Sequence, residues 1–369
     1  MSKHYPWWTT EFGKRERILI DEVFASNFLN DGDLTTRFEK ELAALVGVRY
    51  GVAVSSGTAA LFLALAALDV GPGDEVLVPD LTFIATANAV TLTGATPVLV
   101  DIDAHTLNMD PHAVERAITP HTQVIMPVHV SGRGADMPAI LEIGKRFGIP
   151  VVEDAAEALV SKRFGKTLGT QGLAGCVSFS PNKHITTGQG GMVFTDSDAL
   201  HGRLRELKDQ GRPVRGTGGD DPHPRVGYNF KLTNLQAAVG LGQLDFLSAR
   251  AHRLREHYRI YRERLDGLSQ LEWPGFALSE GETPQWVDVL VRERRDELDQ
   301  FLAARNMGCR RFWLPLHTQP PYLQPAARFP ISSRVGPSAL WLPSAFTLTD
   351  QDILDVSAAI RAFFERKNP

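Results

Sequence analysis

One lysine, Lys183, stands in a polar turn that directly follows an apolar run of the sequence. Ser178 lies before it, and a glycine-rich turn at residues 188–191 lies after it. A lysine held just past a strand and flanked in this way is placed to form a Schiff base with a carbonyl cofactor. The alternative is a solvated loop lysine, since most lysines are exposed and unpaired. The segments upstream favour the first interpretation.

An acidic segment, Glu153-Asp-Ala-Ala-Glu157, follows another apolar run that is predicted to be a strand. In α/β proteins, ligands bind at the carboxyl ends of strands. Asp154 is therefore a candidate acid that could keep a pyridine nitrogen protonated, and a protonated pyridine ring is an electron sink. A helix cap at the protein surface is the alternative for this aspartate.

A segment of small residues, Ser55-Ser-Gly-Thr58, lies where a predicted strand ends and a predicted helix begins. Small residues expose the first backbone N–H groups of the helix, and the helix dipole adds positive potential, so the segment suits a phosphate. A simple N-cap by Thr58 is the alternative.

A second polar turn begins at Gly227 and leads into an alanine-rich helix whose predicted N-cap is Thr233. Each of these four signals is weak by itself. In this order, however, a phosphate site, a ring acid, a lysine and a second polar turn describe a site for pyridoxal 5′-phosphate, which alternates with its pyridoxamine form during amino transfer. Chance assembly of all four is improbable.

The composition is that of an ordinary globular protein. Of 369 residues, 43% are hydrophobic and 22% are charged, and the net charge of -4 gives no sign of a nucleic-acid or membrane partner. The two cysteines, Cys176 and Cys309, have no metal-type spacing, so no metal site is predicted. No signal sequence and no run of about 18 apolar residues is found. A reducing cytoplasm is the predicted location.

Between residues 50 and 196, short apolar runs alternate with helical stretches, which is typical of a mainly parallel sheet covered by helices. Strands are predicted at residues 50–55, 75–78, 97–100, 124–128, 150–153, 177–179 and 192–195. Helices are predicted at residues 58–68, 82–93 and 137–147, the last ending at Gly148. The last two strands bracket Lys183 like a hairpin.

Helices at residues 16–26 and 37–45 precede this core. After it, the glycine-rich and charged segment 209–225 is predicted to be a loop. A long helix from 235 to about 266 follows, and its apolar residues recur at helical spacing. We expect this helix to cross from one lobe to another.

The last hundred or so residues are predicted to form a smaller α/β lobe, with a strand at 287–291 and helices at 295–305 and 351–366. We therefore predict an α/β protein of two domains. Residues 1–250 would form a large cofactor-binding domain with an N-terminal helical segment, and residues 251–369 a small C-terminal α/β domain.

Eight segments extend the pattern over nearly the whole chain: Phe38-Glu39, Ser56-Gly-Thr-Ala-Ala-Leu61, Thr82-Phe-Ile-Ala-Thr-Ala-Asn88, Glu153-Asp-Ala-Ala-Glu157, Ser178-Phe-Ser-Pro-Asn-Lys183, Gly188-Gln-Gly-Gly191, Gly227-Tyr-Asn229 and Pro315-Leu-His317. This set resembles the sugar aminotransferases of the DegT/DnrJ/EryC1/StrS family. The resemblance implies a pyridoxal-phosphate-dependent transferase with the aspartate-aminotransferase type of fold, called fold type I, and a mainly parallel mixed sheet.

The resemblance also implies roles for the matching residues. Gly57, Thr58 and Ser178 would hold the cofactor phosphate, joined by Asn229 from the other subunit of a homodimer. Phe83 would stack on the pyridine ring, although the sequence alone favours a core aromatic at this position.

Asp154 would pair with the ring nitrogen, and Glu157 would approach the ring hydroxyl. Lys183 would bind the cofactor covalently and move the proton during catalysis. The implied reaction takes an amino group from glutamate and gives it to a keto sugar. Its product would serve amino-sugar biosynthesis, such as that of a lipopolysaccharide O-antigen.

Residues 183–191 resemble the branch that aminates C4 of nucleotide-linked 4-keto-6-deoxy sugars, as perosamine synthases do, more than the 3-amino branch. His184 is similar to the histidine that replaces the lysine in related sugar dehydratases. A dehydratase and a 3-keto sugar aminotransferase are therefore alternatives, although Lys183 favours amino transfer. A non-catalytic sensor is a further alternative, disfavoured because the lysine and Asp154 are both present.

Three residues are candidates for substrate contact. His317 is a candidate residue of the substrate mouth, and the alternative is a loop histidine without such a role. Lys231 could contact a diphosphate or only solvent. His184 is either a packed residue or a base. The nucleotide and the sugar cannot be read from the sequence. Selectivity is expected from three segments without a readable code: residues 209–225, Trp7-Trp8 and residues 310–317.

Overall fold

The computed structural model describes residues 3–213 and 222–365. In these ranges the strands are β1 (Tyr50–Val54), β2 (Glu75–Pro79), β3 (Thr96–Val100), β4 (Thr122–Ile125), β5 (Val152–Asp154), β6 (Lys162–Arg163), β7 (Lys166–Thr167), β8 (Ala174–Ser178), β9 (Gly191–Thr195), β10 (Leu271–Glu272), β11 (Asp288–Val291), β12 (Arg310–Arg311) and β13 (Ala339–Trp341). The α-helices are α1 (Lys14–Ser26), α2 (Asp33–Val46), α3 (Gly57–Ala67), α4 (Ala85–Leu92), α5 (Pro111–Ala117), α6 (Met137–Phe147), α7 (Asp198–Lys208), α8 (Asn234–Gln243), α9 (Leu247–Arg264), α10 (Arg295–Ala303), α11 (Pro330–Val335) and α12 (Asp350–Glu365).

A central mixed sheet organises the larger lobe. Strands β3, β2 and β4 pair in parallel, β5 pairs in parallel with β8, and β9 lies antiparallel between β8 and β1. Two parallel bridges, Ile125 with Val151 and Val128 with Asp154, join the two halves of the sheet. The order is therefore β3-β2-β4-β5-β8-β9-β1, and the predicted α/β fold with a mainly parallel mixed sheet is confirmed.

The predicted hairpin around Lys183 is the antiparallel pair β8–β9. Ser178 pairs with Gly191 at the end where the strands are connected, and residues 179–190, here called the lysine turn, form this connection. Helix α6 matches its predicted bounds, and Gly148 caps it with a left-handed backbone at φ 71°. Glycine adopts this conformation without the steric cost that a Cβ atom adds.

The observed bounds of several helices differ from the predicted ones, including α2, which begins four residues before its predicted start, and two of the differences have a local cause. The helix predicted at 82–93 begins only at Ala85, because Thr82 is buried in the preceding turn with its hydroxyl 2.9 Å from that of Thr86. The long helix predicted at 235–266 is divided into α8 and α9 by a 3₁₀ turn, Leu244–Phe246. Two glycines near the end of α8, Gly240 and Gly242, weaken the helix there.

The smaller lobe is an antiparallel sheet in the order β10-β11-β13-β12, with α9, α10 and α12 contributing to its core. Residues 5–8, here called the N-terminal segment, join this lobe: Tyr5 forms a parallel bridge with Met307, and Pro6 accepts a hydrogen bond from the Ala345 N–H. The division into residues 1–250 and 251–369 stays a prediction, and residue 250 falls within α9.

Two predictions fall partly on residues that the structure does not describe. Residues 214–221 of the predicted loop 209–225 lie outside the described residues, and so does Arg366 of the predicted last helix. In the described part of the loop region, Asp209 forms an antiparallel bridge with Asn229, which brings the two ends of the segment together.

Candidate active site

A cavity of about 520 Å³ lies at the carboxyl ends of β5 and β8. Seven of the eight residues predicted to bind the cofactor line it: Gly57, Thr58, Phe83, Asp154, Glu157, Ser178 and Lys183. They come from four distant parts of the sequence. Their convergence on one cavity is what the order of motifs predicts for a single ligand site.

One end of the cavity suits a phosphate. Ser56 caps α3 by accepting a hydrogen bond from the Ala59 N–H at 3.0 Å, so Ser56, and not Thr58, is the cap. A Cβ atom on Gly57 would lie 2.8 Å from the Ser178 Cβ, which leaves no room for a side chain. The helix N-terminus and the Ser178 hydroxyl therefore lie together, where N–H groups and the helix dipole attract an anion.

Asp154 is a buried acid in the lining of the same cavity. Its side chain is almost fully buried, and it accepts hydrogen bonds from the Thr86 hydroxyl at 2.8 Å and the Ala156 N–H at 3.1 Å. Burial raises the pKa of the Asp154 carboxyl, and the hydrogen bond from Thr86 opposes this rise. A positively charged ring nitrogen beside Asp154 would offset the cost of burying its carboxylate charge.

Lys183 lies between a carboxylate and an aromatic face. Its Nζ is 3.2 Å from Glu157 Oε1 and 4.8 Å from the centre of the Trp286 ring. Glu157 also accepts a hydrogen bond from the Ser131 N–H at 2.9 Å. Burial raises the pKa of Glu157, while the charge of Lys183 lowers it. The amine therefore has a fixed position inside the cavity.

Two predicted substrate residues do not line this cavity. His317 is 2% exposed; its Nδ1 is 2.6 Å from Asp80 Oδ2, and its Nε2 is 3.2 Å from the Ser333 hydroxyl. The buried carboxylate of Asp80 requires such partners, and this contact accounts for the position of His317. Its role at the substrate mouth stays a prediction. His184 is fully buried with Nε2 3.3 Å from the Pro284 carbonyl, and burial lowers its pKa to about 3. Of the two interpretations of His184, the packed residue is the one that fits.

Lys231 and Asn229 also lie outside the cavity of their own chain. Lys231 Nζ is 2.6 Å from Asp209 Oδ1, so its charge already has a partner. Asn229 is exposed to solvent. An exposed asparagine cannot complete the site of its own subunit from this position, and its predicted phosphate contact stays a prediction that requires a second subunit.

Four tryptophans that line the cavity form an aromatic wall. The wall consists of Trp7, Trp286, Trp313 and Trp341, with ring centres of neighbours 4.7–6.4 Å apart. The segments Trp7-Trp8 and 310–317 were expected to determine selectivity, and the structure brings Trp7 and Trp313 together. Trp286 and Trp341 carry no local sequence signal, because their position depends on the packing of the smaller sheet.

The described residues contain no group of three or more histidine, cysteine or acidic side chains that could hold a metal ion. Cys176 and Cys309 are both free thiols. None of the helices in residues 3–213 and 222–365 has the length and apolar character needed to cross a bilayer.

A family model for the DegT/DnrJ/EryC1/StrS aminotransferase family matches residues 11–361. The chain belongs to this family. It is 37% identical over 368 residues to the GDP-perosamine synthase of Escherichia coli O157:H7, covering 99% of this chain and 100% of that protein. It is 40% identical over 358 residues to the GDP-perosamine synthase of Caulobacter vibrioides (strain ATCC 19089 / CIP 103742 / CB 15), covering 94% of each.

The solved structure of DesV from S. venezuelae matches with a TM-score of 0.90 and 35% identity, covering 96% of this chain and 95% of that one. The predictions of the family, the fold, an aminotransferase and its pyridoxal phosphate cofactor are confirmed. The cavity also fits this cofactor, because it combines a phosphate site without room for a Cβ atom, a buried acid and a lysine amine.

When bound, pyridoxal phosphate supplies a ring that withdraws electrons from the substrate carbon. The N–H groups at the start of α3 and the Ser178 hydroxyl would hold its phosphate, and the Asp154 carboxylate would hold its ring nitrogen in the protonated state. Phe83, whose ring is 51% exposed and lines the cavity, would cover one ring face. Lys183 Nζ can accept and return a proton inside the cavity, with Glu157 holding it in place.

Proposed function

We propose that this enzyme transfers an amino group from glutamate to C4 of a nucleotide-linked 4-keto-6-deoxy sugar. The observation that carries the proposal is the position of Lys183, 3.2 Å from Glu157 in the same cavity as Asp154. The names of the full-length relatives, both GDP-perosamine synthases, support a sugar nucleotide as acceptor. The product would be a 4-amino sugar for glycan biosynthesis, of the kind found in O-antigens.

The residues at the lysine turn favour amino transfer over dehydration. A dehydratase of the related type has a histidine in place of the lysine, whereas this chain has Lys183 there. His184, the neighbouring histidine, is fully buried with its ring against the Pro284 carbonyl, so it cannot take the place of the amine. In this cavity the proton for the sugar carbon would therefore come from Lys183 Nζ.

We propose that the enzyme works as a homodimer in which each subunit completes the site of the other. Asn229 lies exposed outside its own cavity, as a residue that serves a neighbouring site would. Two large apolar side chains, Leu92 and Leu323, are 65% and 72% exposed, and a subunit contact would remove their surface from water. The two free thiols support the reducing cytoplasm as the place of action.

A visible absorbance spectrum tests the reaction directly. We expect a band from bound cofactor that glutamate bleaches and that one 4-keto sugar nucleotide restores. The variant Lys183→Ala should lose both changes, whereas Lys162→Ala, which alters an exposed lysine outside the cavity, should keep them. If none of the amino donors tested bleaches the band of the wild-type protein, amino transfer is refuted.

The same experiment tests the acceptor and the carbon. Nucleotide-linked 4-keto and 3-keto sugars are added separately to the glutamate-treated enzyme, and the product is identified by mass spectrometry and NMR. Return of the band with 3-keto substrates alone would replace the C4 proposal with a C3 aminotransferase. Loss of a sugar hydroxyl without gain of nitrogen would instead indicate a dehydratase.

A further inference from the structure

Arg310 is a cation on the aromatic wall for which the described residues provide no acidic partner. Its guanidinium carbon lies 4.8 Å from the centre of the Trp7 ring and 5.6 Å from that of Trp341, and its side chain lines the same cavity as Lys183. In the described parts of the chain, no carboxylate lies within 4.0 Å of its nitrogens. A guanidinium in a substrate cavity usually has an anion to bind, either from the protein or from a ligand.

The neighbouring residue, Arg311, provides a direct contrast. The two arginines form β12, in which Arg310 pairs with Trp341 and Arg311 with Leu340. Because successive side chains of a strand point to opposite faces, only Arg310 faces the cavity. Arg311 lies on the exposed side, 2.9 Å from Asp299 and 3.5 Å from Asp296. Among the residues that the structure describes, only the arginine outside the cavity has an acidic partner.

The aromatic rings hold Arg310 without neutralising it. An indole attracts a cation through its ring face but has no net charge, so the guanidinium keeps its full charge and its N–H donors. Arginine can present two parallel N–H groups to a carboxylate or a phosphate. A cation fixed on two rings loses less side-chain entropy on binding than one on a free chain.

The N-terminal segment fixes Trp7 from both sides. Tyr5 donates its N–H to the Asn306 carbonyl and accepts one from the Gly308 N–H, both at 2.8 Å. Trp8 Nε1 donates to the Pro181 carbonyl of the lysine turn at 3.1 Å. The ring under Arg310 is therefore anchored to the smaller sheet and to the segment that carries the catalytic amine.

We infer that Arg310, held on Trp7 and Trp341, is a substrate-binding residue that recognises an anionic group, either a carboxylate of the amino donor or a phosphate of the sugar nucleotide. The inference rests on the proposed function. The aromatic wall extends from Lys183 to Arg310. The ring centre of Trp286 lies 4.8 Å from Lys183 Nζ and 5.6 Å from the ring centre of Trp7, on which Arg310 lies. Arg310 and Lys183 thus contact different tryptophans of the same wall, so a substrate that reacts at Lys183 could reach Arg310 with a charged group remote from the reacting carbon.

The test compares Arg310→Gln with Arg311→Gln as holoenzymes. Glutamate binding is measured from the absorbance change, and GDP binding by isothermal titration calorimetry, which requires no turnover. We expect Arg310→Gln to weaken at least one ligand about tenfold to a hundredfold, the loss of a charge-assisted hydrogen bond, and Arg311→Gln to change neither. A loss for glutamate alone assigns the carboxylate, a loss for GDP alone assigns the phosphate, and a loss for both assigns a site used in both half-reactions.

Unchanged binding of both ligands in Arg310→Gln would overturn the inference, and so would equal losses in the two variants. Arg310→Lys keeps the charge without the planar pair of donors, so an intermediate affinity is expected and guards against a variant that merely fails to fold. The proposed function is judged separately, on wild-type enzyme alone, from its response to amino donors and from the product it forms with 4-keto and 3-keto sugar nucleotides.

Discussion

Arg133 and Asp288 form a fully buried ion pair between the two lobes. Two parallel hydrogen bonds join them, Nη1 to Oδ1 at 2.7 Å and Nη2 to Oδ2 at 2.6 Å, and the side chains are 1% and 0% exposed. Arg133 lies in the segment between β4 and α6, close to the Ser131 N–H that holds Glu157, whereas Asp288 begins β11. The pair therefore connects the cofactor side of the cavity with the smaller sheet.

Removal of one partner should be far more costly than removal of both. Asp288→Asn leaves a buried guanidinium without its counter-charge, which we expect to lower the free energy of unfolding by about 3–5 kcal/mol. Arg133→Met leaves the buried Asp288 carboxylate without its partner and should lower the free energy of unfolding by a similar amount. The double variant Arg133→Met/Asp288→Leu leaves no buried charge, so most of the loss should be recovered.

Urea unfolding of the four holoenzymes, followed by circular dichroism, measures these differences. The exposed pair Arg311–Asp299 serves as a control, and Asp299→Asn should change the free energy of unfolding by less than about 1 kcal/mol. If Asp288→Asn costs no more than this control, or if the double variant loses the sum of the two single losses, the reasoning is refuted.

Three further predictions concern the cofactor end of the cavity. Gly57→Ala places a carbon 2.8 Å from the Ser178 Cβ and should weaken cofactor binding about tenfold or more in an absorbance titration; unchanged affinity would mean that the site can expand. Burial raises the pKa of Asp154 above its ordinary 3.8, so the folded state loses stability as the pH rises from 3.8 through the raised value. Cofactor-free Asp154→Asn should therefore be more stable than cofactor-free wild type at pH 7 but not at pH 3, although the variant is inactive. A difference in melting temperature that is independent of pH would contradict this. Thr86→Val removes a hydrogen bond that lowers the pKa of Asp154, so the acid limb of the pH–rate profile should move to higher pH. An unchanged acid limb would show that Thr86 does not influence the group that titrates there.

Local signals in the sequence are sufficient to predict helix ends and turns where a single residue type determines the backbone conformation. Helix α6 ends at Gly148 because this residue adopts a left-handed conformation, and the turns around Lys183 were recognisable in the same way. The start of α4 was missed by three residues, because the hydroxyl contact between Thr82 and Thr86 is a tertiary feature of the turn and the intrinsic propensities there do not exclude a helix.

Long-range partners could not be read from the sequence. His317 stands in a conspicuous motif, but its role depends on Asp80, a buried acid 237 residues away. The aromatic wall likewise collects tryptophans from the N-terminal segment and from the smaller sheet. Such groups are assembled by packing of the whole chain, and no local periodicity or motif announces them.

The pairing of Tyr5 with Met307 sets the order in which the enzyme can be completed during synthesis. Met307 leaves the ribosome about 300 residues after Tyr5, which takes roughly 15–60 s at about 5–20 residues per second. Until then Trp7 has neither the β-bridge nor Arg310 to pack against, although the central sheet and the lysine turn have already been translated. A nascent chain can thus carry the Lys183 amine well before it has the aromatic wall of the cavity. Premature termination in this interval would leave the surfaces that pack against these tryptophans exposed to aggregation or to chaperones.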